Sequence, residues 1–374
     1  MAEKTILNSH GLEVRVSDEA NEGILDILNH TVQGSEGGLR FSLQNPSERI
    51  KEYKNKIRFV SLYRKNKVTG TLGACFRITG QDNLRFHTTY IRYFAFNAVY
   101  QSETKVRKKE KTSKSDQSEE SFKKRTLDLF SKPHLLDYPD ISESDKHIMY
   151  AFVESMNERS KNIVHQAGFE YIRSFLTVAF SRFSPKKDNR VTKLEQVEKE
   201  KMKSILLDHY RGHSFYNTDI SVSGTYYVLK EKGKIVAGVN TIHGLYRIYG
   251  MPGIWGWVIM KVLPRMPLFK KLFLPDHFRY LVFDSIYCVP GKEELLGPLF
   301  ESACASESYN TALTWLDDRH DFYDKLRTRV KMGALNRMLN AKPGLVYARF
   351  INFTESEKEP FYNAPAYVSG YDMT

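Results

Sequence analysis

The sequence predicts an α/β protein built on a mixed (α+β) sheet, with one strand, helix and hairpin unit used twice. Three observations carry the prediction. A polar hairpin turn between two apolar strand-like runs recurs about 167 residues after its first occurrence. Each hairpin follows a helical segment and precedes another strand-like run. With 23 Phe, 22 Tyr and 3 Trp in 374 residues, the chain has the aromatic content of a packed core, which excludes a mostly disordered protein.

The first copy opens with the alternation Leu12-Glu13-Val14-Arg15-Val16, a strand, followed by a helix with apolar positions at Ile24, Leu25, Ile27 and Leu28 and Ser17 or Asp18 as N-cap. Residues 57–78 form two strands around Arg64-Lys65-Asn66-Lys67, and 88–100 is a further strand rich in aromatics. Residues 147–153 make another strand that feeds a helix over 154–167. Gly168 ends that helix because glycine tolerates positive φ, and 169–183 is the closing strand.

The second copy repeats the order. A strand at 193–197 and a helix at 202–210 precede a hairpin over 225–242, turning at Glu231-Lys232-Gly233-Lys234. Strands at 279–289, 311–316 and 345–353 alternate with helices at 294–305 and 321–330. The strands after the two hairpins lie about 190 residues apart, so the second copy carries an insertion of about 23 residues, within 244–278. The expected domains are 1–184 and 193–374, joined by the polar linker 185–192 that starts at Pro185.

Charge and cysteine usage limit the function classes. A net charge of +12 favours acidic partners, whether nucleic acid, anionic lipid or a phosphate-bearing ligand. Cys75, Cys288 and Cys304 form neither a CxxC pair nor a disulfide framework, so no metal site is expected and a reducing compartment fits. The first residues lack a secretory apolar run and no window suits a membrane span. The expectation is a cytoplasmic protein, with peripheral contact to the inner face of a membrane left open.

The element order, together with NERSKNIVHQAGFE at 157–170, resembles the GNAT-type N-acyltransferase superfamily in a tandem two-domain form. Asn157, Ser160 and Gly168-Phe169 match the family's Asn, small residue and Gly-Phe, and the hairpins at 65–74 and 231–242 look like its central hairpin. The resemblance implies an acyl-CoA or acetyl-CoA substrate whose pantetheine pairs like an added strand where two parallel strands splay. It also implies a glycine-rich turn that aims helix N-terminal amides at the pyrophosphate. The family's Arg/Gln-x-x-Gly-x-Gly/Ala signal is intact in neither copy.

In the first copy the resemblance puts the splayed strand at Phe94–Tyr100, with Phe96, Ala98, Val99 and Asn157 at the cofactor. The following stretch, 101–125, has nine basic and five acidic residues and no glycine. Arg107, Lys108, Lys109 and Lys111 either pair with phosphates or form a solvated charged loop. The family's Tyr general acid aligns with Val164, beside His165, which puts acetyl transfer from this copy in doubt.

The second copy keeps more of the phosphate cradle and is the favoured cleft. Its resemblance-implied cofactor residues are Ile286, Cys288, Val289, Gly291, Lys292 and Gly297. Tyr323 is the candidate proton donor to the leaving thiolate, or an ordinary half-buried aromatic. Asp317, Asp318 and His320 follow a strand end, where active sites of open sheets lie, and supply a candidate base for the amine or a simple N-cap.

The insertion 244–278 holds two of the three Trp, four Pro, and five basic residues against one acidic. It reads as an interfacial membrane element, as an apolar wall for an acyl chain or acceptor, or as a structural cover. Nucleic-acid binding is the rival class, weakened because 101–125 has only Phe122 as an aromatic. The overall expectation is acyl transfer from acyl-CoA to an amine-bearing small molecule, lipid precursor or protein. The alternative is a catalytically silent tandem that binds a membrane, an acidic ligand or a protein partner.

Overall fold

The computed structural model describes residues 3–9, 11–35, 37–97, 115–138, 141–217, 224–338 and 342–374. Strands β1 (Lys4–Ser9) and β2 (Leu12–Ser17) open the chain, and the alternation in β2 buries Leu12, Val14 and Val16. Helix α1 (Glu22–His30) buries Ile24, Ile27 and Leu28. Its cap is Asn21, whose Oδ1 accepts from the Ile24 amide at 3.0 Å, rather than Ser17 or Asp18. Ser17 is drawn into β2 by its pairing with Phe59, so the helix starts later than its polar signal.

A short strand that the sequence did not announce, β3 (Arg40–Leu43), precedes helix α2 (Pro46–Tyr53). Then come β4 (Ile57–Arg64), β5 (Lys67–Gln81) and β6 (Leu84–Phe96). The first expected hairpin turns where Lys65 and Asn66 both have positive φ, the geometry of a two-residue turn matched to strand twist. β7 (His147–Glu154), the helix Glu158–Gln166 and β8 (Glu170–Ser181) follow.

The last two residues of the expected linker, Val191 and Thr192, join Lys193 in edge strand β9 (Val191–Lys193), and Gln196–Glu198 is a 3-10 turn instead of part of a strand over 193–197. After the helix Lys199–His209, β10 (Thr225–Glu231) and β11 (Lys234–Gly250) make the second hairpin, turning at Lys232 and Gly233. β12 (Phe278–Cys288), the helix Leu296–Glu307, β13 (Thr311–Asp317), the helix Asp321–Arg329 and β14 (Gly344–Ile351) complete the order.

Among the described residues fourteen strands join one sheet in the order β1-β2-β4-β5-β6-β7-β14-β8-β13-β12-β11-β10-β9, with β3 alongside β11. Apart from β1 and β3 the order is a palindrome about the β14/β8 pair. Each half places its last strand against the other: β14 pairs with β7, and β8 pairs with β13. A cut in the chain at 185–192 therefore does not separate two sheets.

The two pairs β6/β7 and β12/β13 are parallel and every other pair is antiparallel. The largest core cluster runs through both halves, joining Phe59 and Tyr150 to Tyr280, Trp315 and Phe361. A second packs the helix Leu296–Glu307 on the second half of the sheet. Among the described residues no helix is long and apolar enough to cross a membrane.

Candidate active site

Each parallel pair is joined only over part of its length. β6 and β7 pair from His87 opposite His147 to Ile91 opposite Ala151, and then β6 runs on to Phe96 and β7 to Glu154. β12 and β13 pair only at Leu281 with Ala312 and Val282 with Leu313, and then extend to Cys288 and Asp317. Both pairs thus open at the carboxyl ends of their strands, where open sheets place ligands.

A bulge marks each opening. In the β5/β6 ladder Gly73 faces Arg92 and Thr71 faces Ala95, so Tyr93 and Phe94 share one opposite residue. In the β11/β12 ladder Gly238 faces Tyr287 and Asn240 faces Asp284, which leaves Ser285 and Ile286 in the same position. Tyr93 has φ +53° and Ser285 +46°. A non-glycine residue in this region costs on the order of 1–3 kcal/mol, and such strain gathers at functional sites. Each bulge leaves one residue more on its strand than the partner can pair.

The two gaps differ in what occupies them. The first opens into a cavity of about 1140 Å³. Phe96, Glu154 and Asn157 line it from the first half, and Ile248, Ile259 and Trp315 from the second. Asn157 caps the helix Glu158–Gln166, its Oδ1 accepting from the Ser160 amide at 3.0 Å. Glu154 accepts from the Ser35 amide and hydroxyl at 3.2 and 3.0 Å. Burial pushes the Tyr93 phenol up to about 12, so it stays protonated. Ala98, Val99, Arg107, Lys108, Lys109 and Lys111 lie outside the described residues.

The second gap leaves a cavity of only about 40 Å³, because residues 366–370 fill it. The Tyr367 hydroxyl donates to Asp284 Oδ1 at 2.5 Å and accepts from the Ser285 amide at 3.2 Å. The Gly370 amide donates to the same Asp284 oxygen at 3.2 Å. Tyr226 and Tyr210 donate to the carbonyls of Ser285 and Ile286, at 2.9 and 2.6 Å. The backbone groups that a pantetheine would pair with are therefore engaged by the protein itself.

The residues favoured by sequence for the second cleft are similarly committed. Glu293 Oε1 accepts from the Gly291 amide at 3.2 Å, so a buried carboxylate sits where the turn was expected to hold phosphate. Lys292 Nζ pairs with Glu231. Gly297 lies within the helix Leu296–Glu307, beside Val330. Ile286 and Cys288 are core residues, and burial pushes the Cys288 thiol up to about 12; Val289 packs against the same cluster.

Asp317 receives Arg173 at 2.9 and 2.7 Å and the Ala366 amide at 2.8 Å, a buried and fully engaged carboxylate rather than an open base. His320 stacks edge-on against His213 with ring centroids 4.8 Å apart, and burial lowers its pKa. Tyr323 is half-buried against the second core cluster. The structure thus shifts the candidate cleft from the second copy to the first. A glycine-containing turn looks the same in sequence whether it holds a phosphate or its own Glu293.

Sequence reasoning missed the tail that closes the second gap and the contribution of the second half to the first cavity. It also missed Arg92. Buried in β6, Arg92 donates to the Thr374 carbonyl at 2.5 Å and to the Tyr53 hydroxyl. The one usable signal was the insertion's apolar content, since Met251, Gly256 and Ile259 do wall the cavity.

No protein-family model matches the chain, and neither does the sequence of any curated protein. Solved structures do match. Saccharomyces cerevisiae N-myristoyltransferase with bound myristoyl-CoA aligns over 98% of this chain and 91% of its own, at 9% identity and a TM-score of 0.53. The same yeast enzyme with bound myristoyl-CoA and inhibitors aligns over 97% and 87%, at 10% identity and 0.53. A GCN5-related N-acetyltransferase from Anabaena variabilis aligns over 90% and 72%, at 12% identity and 0.42. The chain has the GNAT-type α/β fold, shared with the yeast structures over nearly its whole length.

Proposed function

We propose that the protein is an N-acyltransferase that passes an acyl group from acyl-CoA to an amine acceptor in the first-half cleft. The observation that carries this reading is the contrast between the gaps. The β6/β7 gap, with its bulge at Tyr93 and Phe94, opens into a roomy cavity, while the equivalent β12/β13 gap is filled by the chain's own tail. Beyond Ile91 the edge of β6 faces the gap, where a pantetheine arm can pair as an added strand.

The chemistry is a direct displacement. The amine nitrogen attacks the thioester carbonyl, a bond to nitrogen forms, and the carbonyl electrons move to oxygen. The amides of Tyr93 and Phe94, at the bulge beside the gap, are assigned as donors to that oxyanion. Collapse then expels the CoA thiolate, and the nitrogen loses its proton. Three carboxylates line the cavity and differ in their availability: Asp372 is tied to Arg77 and the exposed Asp26 pairs with His30, whereas Glu154 contacts only a neutral amide and hydroxyl among the hydrogen bonds described. We assign Glu154 the role of proton acceptor. The apolar second-half wall suits a long acyl chain or a hydrophobic acceptor.

The test is thermal unfolding with free CoA, acetyl-CoA and long-chain acyl-CoA, followed by product analysis with amine acceptors. A ligand at a hundred times its Kd stabilises by about 2.7 kcal/mol, so a real site gives a clear rise in Tm. No shift with any CoA species at millimolar concentration overturns the reading.

A further inference from the structure

The segment between β11 and β12 has two chemically distinct faces. Its backbone is helical from Gly253 through Arg265, as an α-turn (Gly253–Trp257), a π-turn (Val258–Val262) and a 3-10 turn (Leu263–Arg265). Gly256 and Ile259 are buried and wall the cavity. Outward, Ile254 is 78% exposed, Trp255 57% and Trp257 60%, with Met266 and Leu268 also exposed further along. Indoles and a β-branched side chain at such exposure, adjacent in sequence, form an apolar patch rather than scattered surface residues.

Charge decides what would cover this patch. Residues 250–275 contain four cations, Lys261, Arg265, Lys270 and Lys271, and no acidic residue. All four are exposed, and none forms an ion pair among the described residues. Asp276, the next acid, is 3.6 Å from Arg247. Protein interfaces deplete lysine at their centres. Exposed Trp beside unpaired Lys and Arg matches a bilayer interface instead, where indoles sit at headgroup depth and each cation meets lipid phosphate.

We propose that this outward face docks on an anionic membrane surface, with Ile254, Trp255 and Trp257 entering the headgroup layer and Lys261, Arg265, Lys270 and Lys271 meeting anionic headgroups. The inference does not depend on acyl transfer, since docking needs no CoA. It does place the bilayer against the helix whose other face walls the cavity, which suits a substrate that carries a lipid chain.

The test uses the full chain and its own fluorescence. Trp315 is buried, so a change in emission on adding vesicles reports Trp255 and Trp257. Phosphatidylcholine vesicles carrying about one-third phosphatidylserine should sediment the protein and shift its emission to the blue, and phosphatidylcholine alone should bind it far more weakly. Replacing both indoles (Trp255→Ser with Trp257→Ser) should weaken partitioning by about tenfold or more. Lys270→Glu with Lys271→Glu should weaken it by about fivefold or more per charge, with circular dichroism unchanged in both variants. Absence of binding to the anionic vesicles overturns the proposal, as does wild-type binding by the double indole variant. A blue shift without lipid that accompanies a doubled mass in light scattering also overturns it, by assigning the face to a second copy.

Discussion

Arg77 and Asp372, 295 residues apart in sequence, form a buried bidentate pair: Nη1 and Nη2 each donate to one carboxylate oxygen at 2.8 Å. Arg77 Nη1 also reaches the Tyr150 hydroxyl at 3.1 Å. The pair fixes the tail to a central strand of the first half. Asp372→Ala leaves a buried guanidinium without its counter-charge and should destabilise the fold by about 3–5 kcal/mol. The double variant Arg77→Met with Asp372→Leu should lose less than the two single changes added together. Urea unfolding of Asp372→Ala, of the single variants Arg77→Met and Asp372→Leu, and of the double variant checks both statements.

The asymmetry of the gaps predicts one acyl-CoA per chain, not two. Ile163→Trp enlarges a side chain on the wall of the first cavity and should weaken acyl-CoA binding by about tenfold or more. Lys292→Ala, in the turn after β12, should leave it unchanged, because Lys292 is already engaged with Glu231. Calorimetric titration gives the stoichiometry and both affinities.

If Glu154 accepts the amine proton, Glu154→Gln should lower kcat by about a hundredfold or more, the usual scale of general-base loss. The amide oxygen still accepts from Ser35, so the fold and the acyl-CoA affinity should persist. Steady-state kinetics with a tight-binding amine, together with CoA titration, separates loss of chemistry from loss of the cleft.

One buried histidine and two half-buried ones set an acid limit. Burial, reinforced by His87, pushes His147 down to about 3; burial and His320 push His213 to about 3 and His209 to about 4. Their unfolded rings titrate near 6.5, so between that pH and about 3–4 the unfolded chain binds more protons. Stability is therefore full above pH 6.5 and falls as pH drops. His147 alone should account for about 2 kcal/mol between pH 7 and pH 5. His147→Gln should flatten that part of the profile by a similar amount, read from urea midpoints at a series of pH values.

What could be read in the sequence was local. The hairpins at Lys65-Asn66 and Lys232-Gly233 were legible because turn chemistry resides in adjacent residues. The strand order within each half followed from alternation and length. The neighbours of β8 and β14 were not legible, since both are apolar strands able to pair with several edges and only the tertiary arrangement selects one. β3, four residues long, has too little pattern to announce itself. The bulge at Tyr93 lies within an aromatic run and carries no glycine or asparagine to mark positive φ. The filling of the second gap depends on Tyr367 reaching Asp284 across 83 residues, which no local pattern encodes.

The interchange of β8 and β14 has a consequence for biosynthesis. While the ribosome is still extending the chain, the amino-terminal portion lacks the neighbour that will later cover β7, and β8 has no β13 to join. Apolar edges therefore wait until β13 and β14 have been made, a period in which unpaired strands invite aggregation. The centre of the sheet closes only when β14 slots between two strands that were made long before.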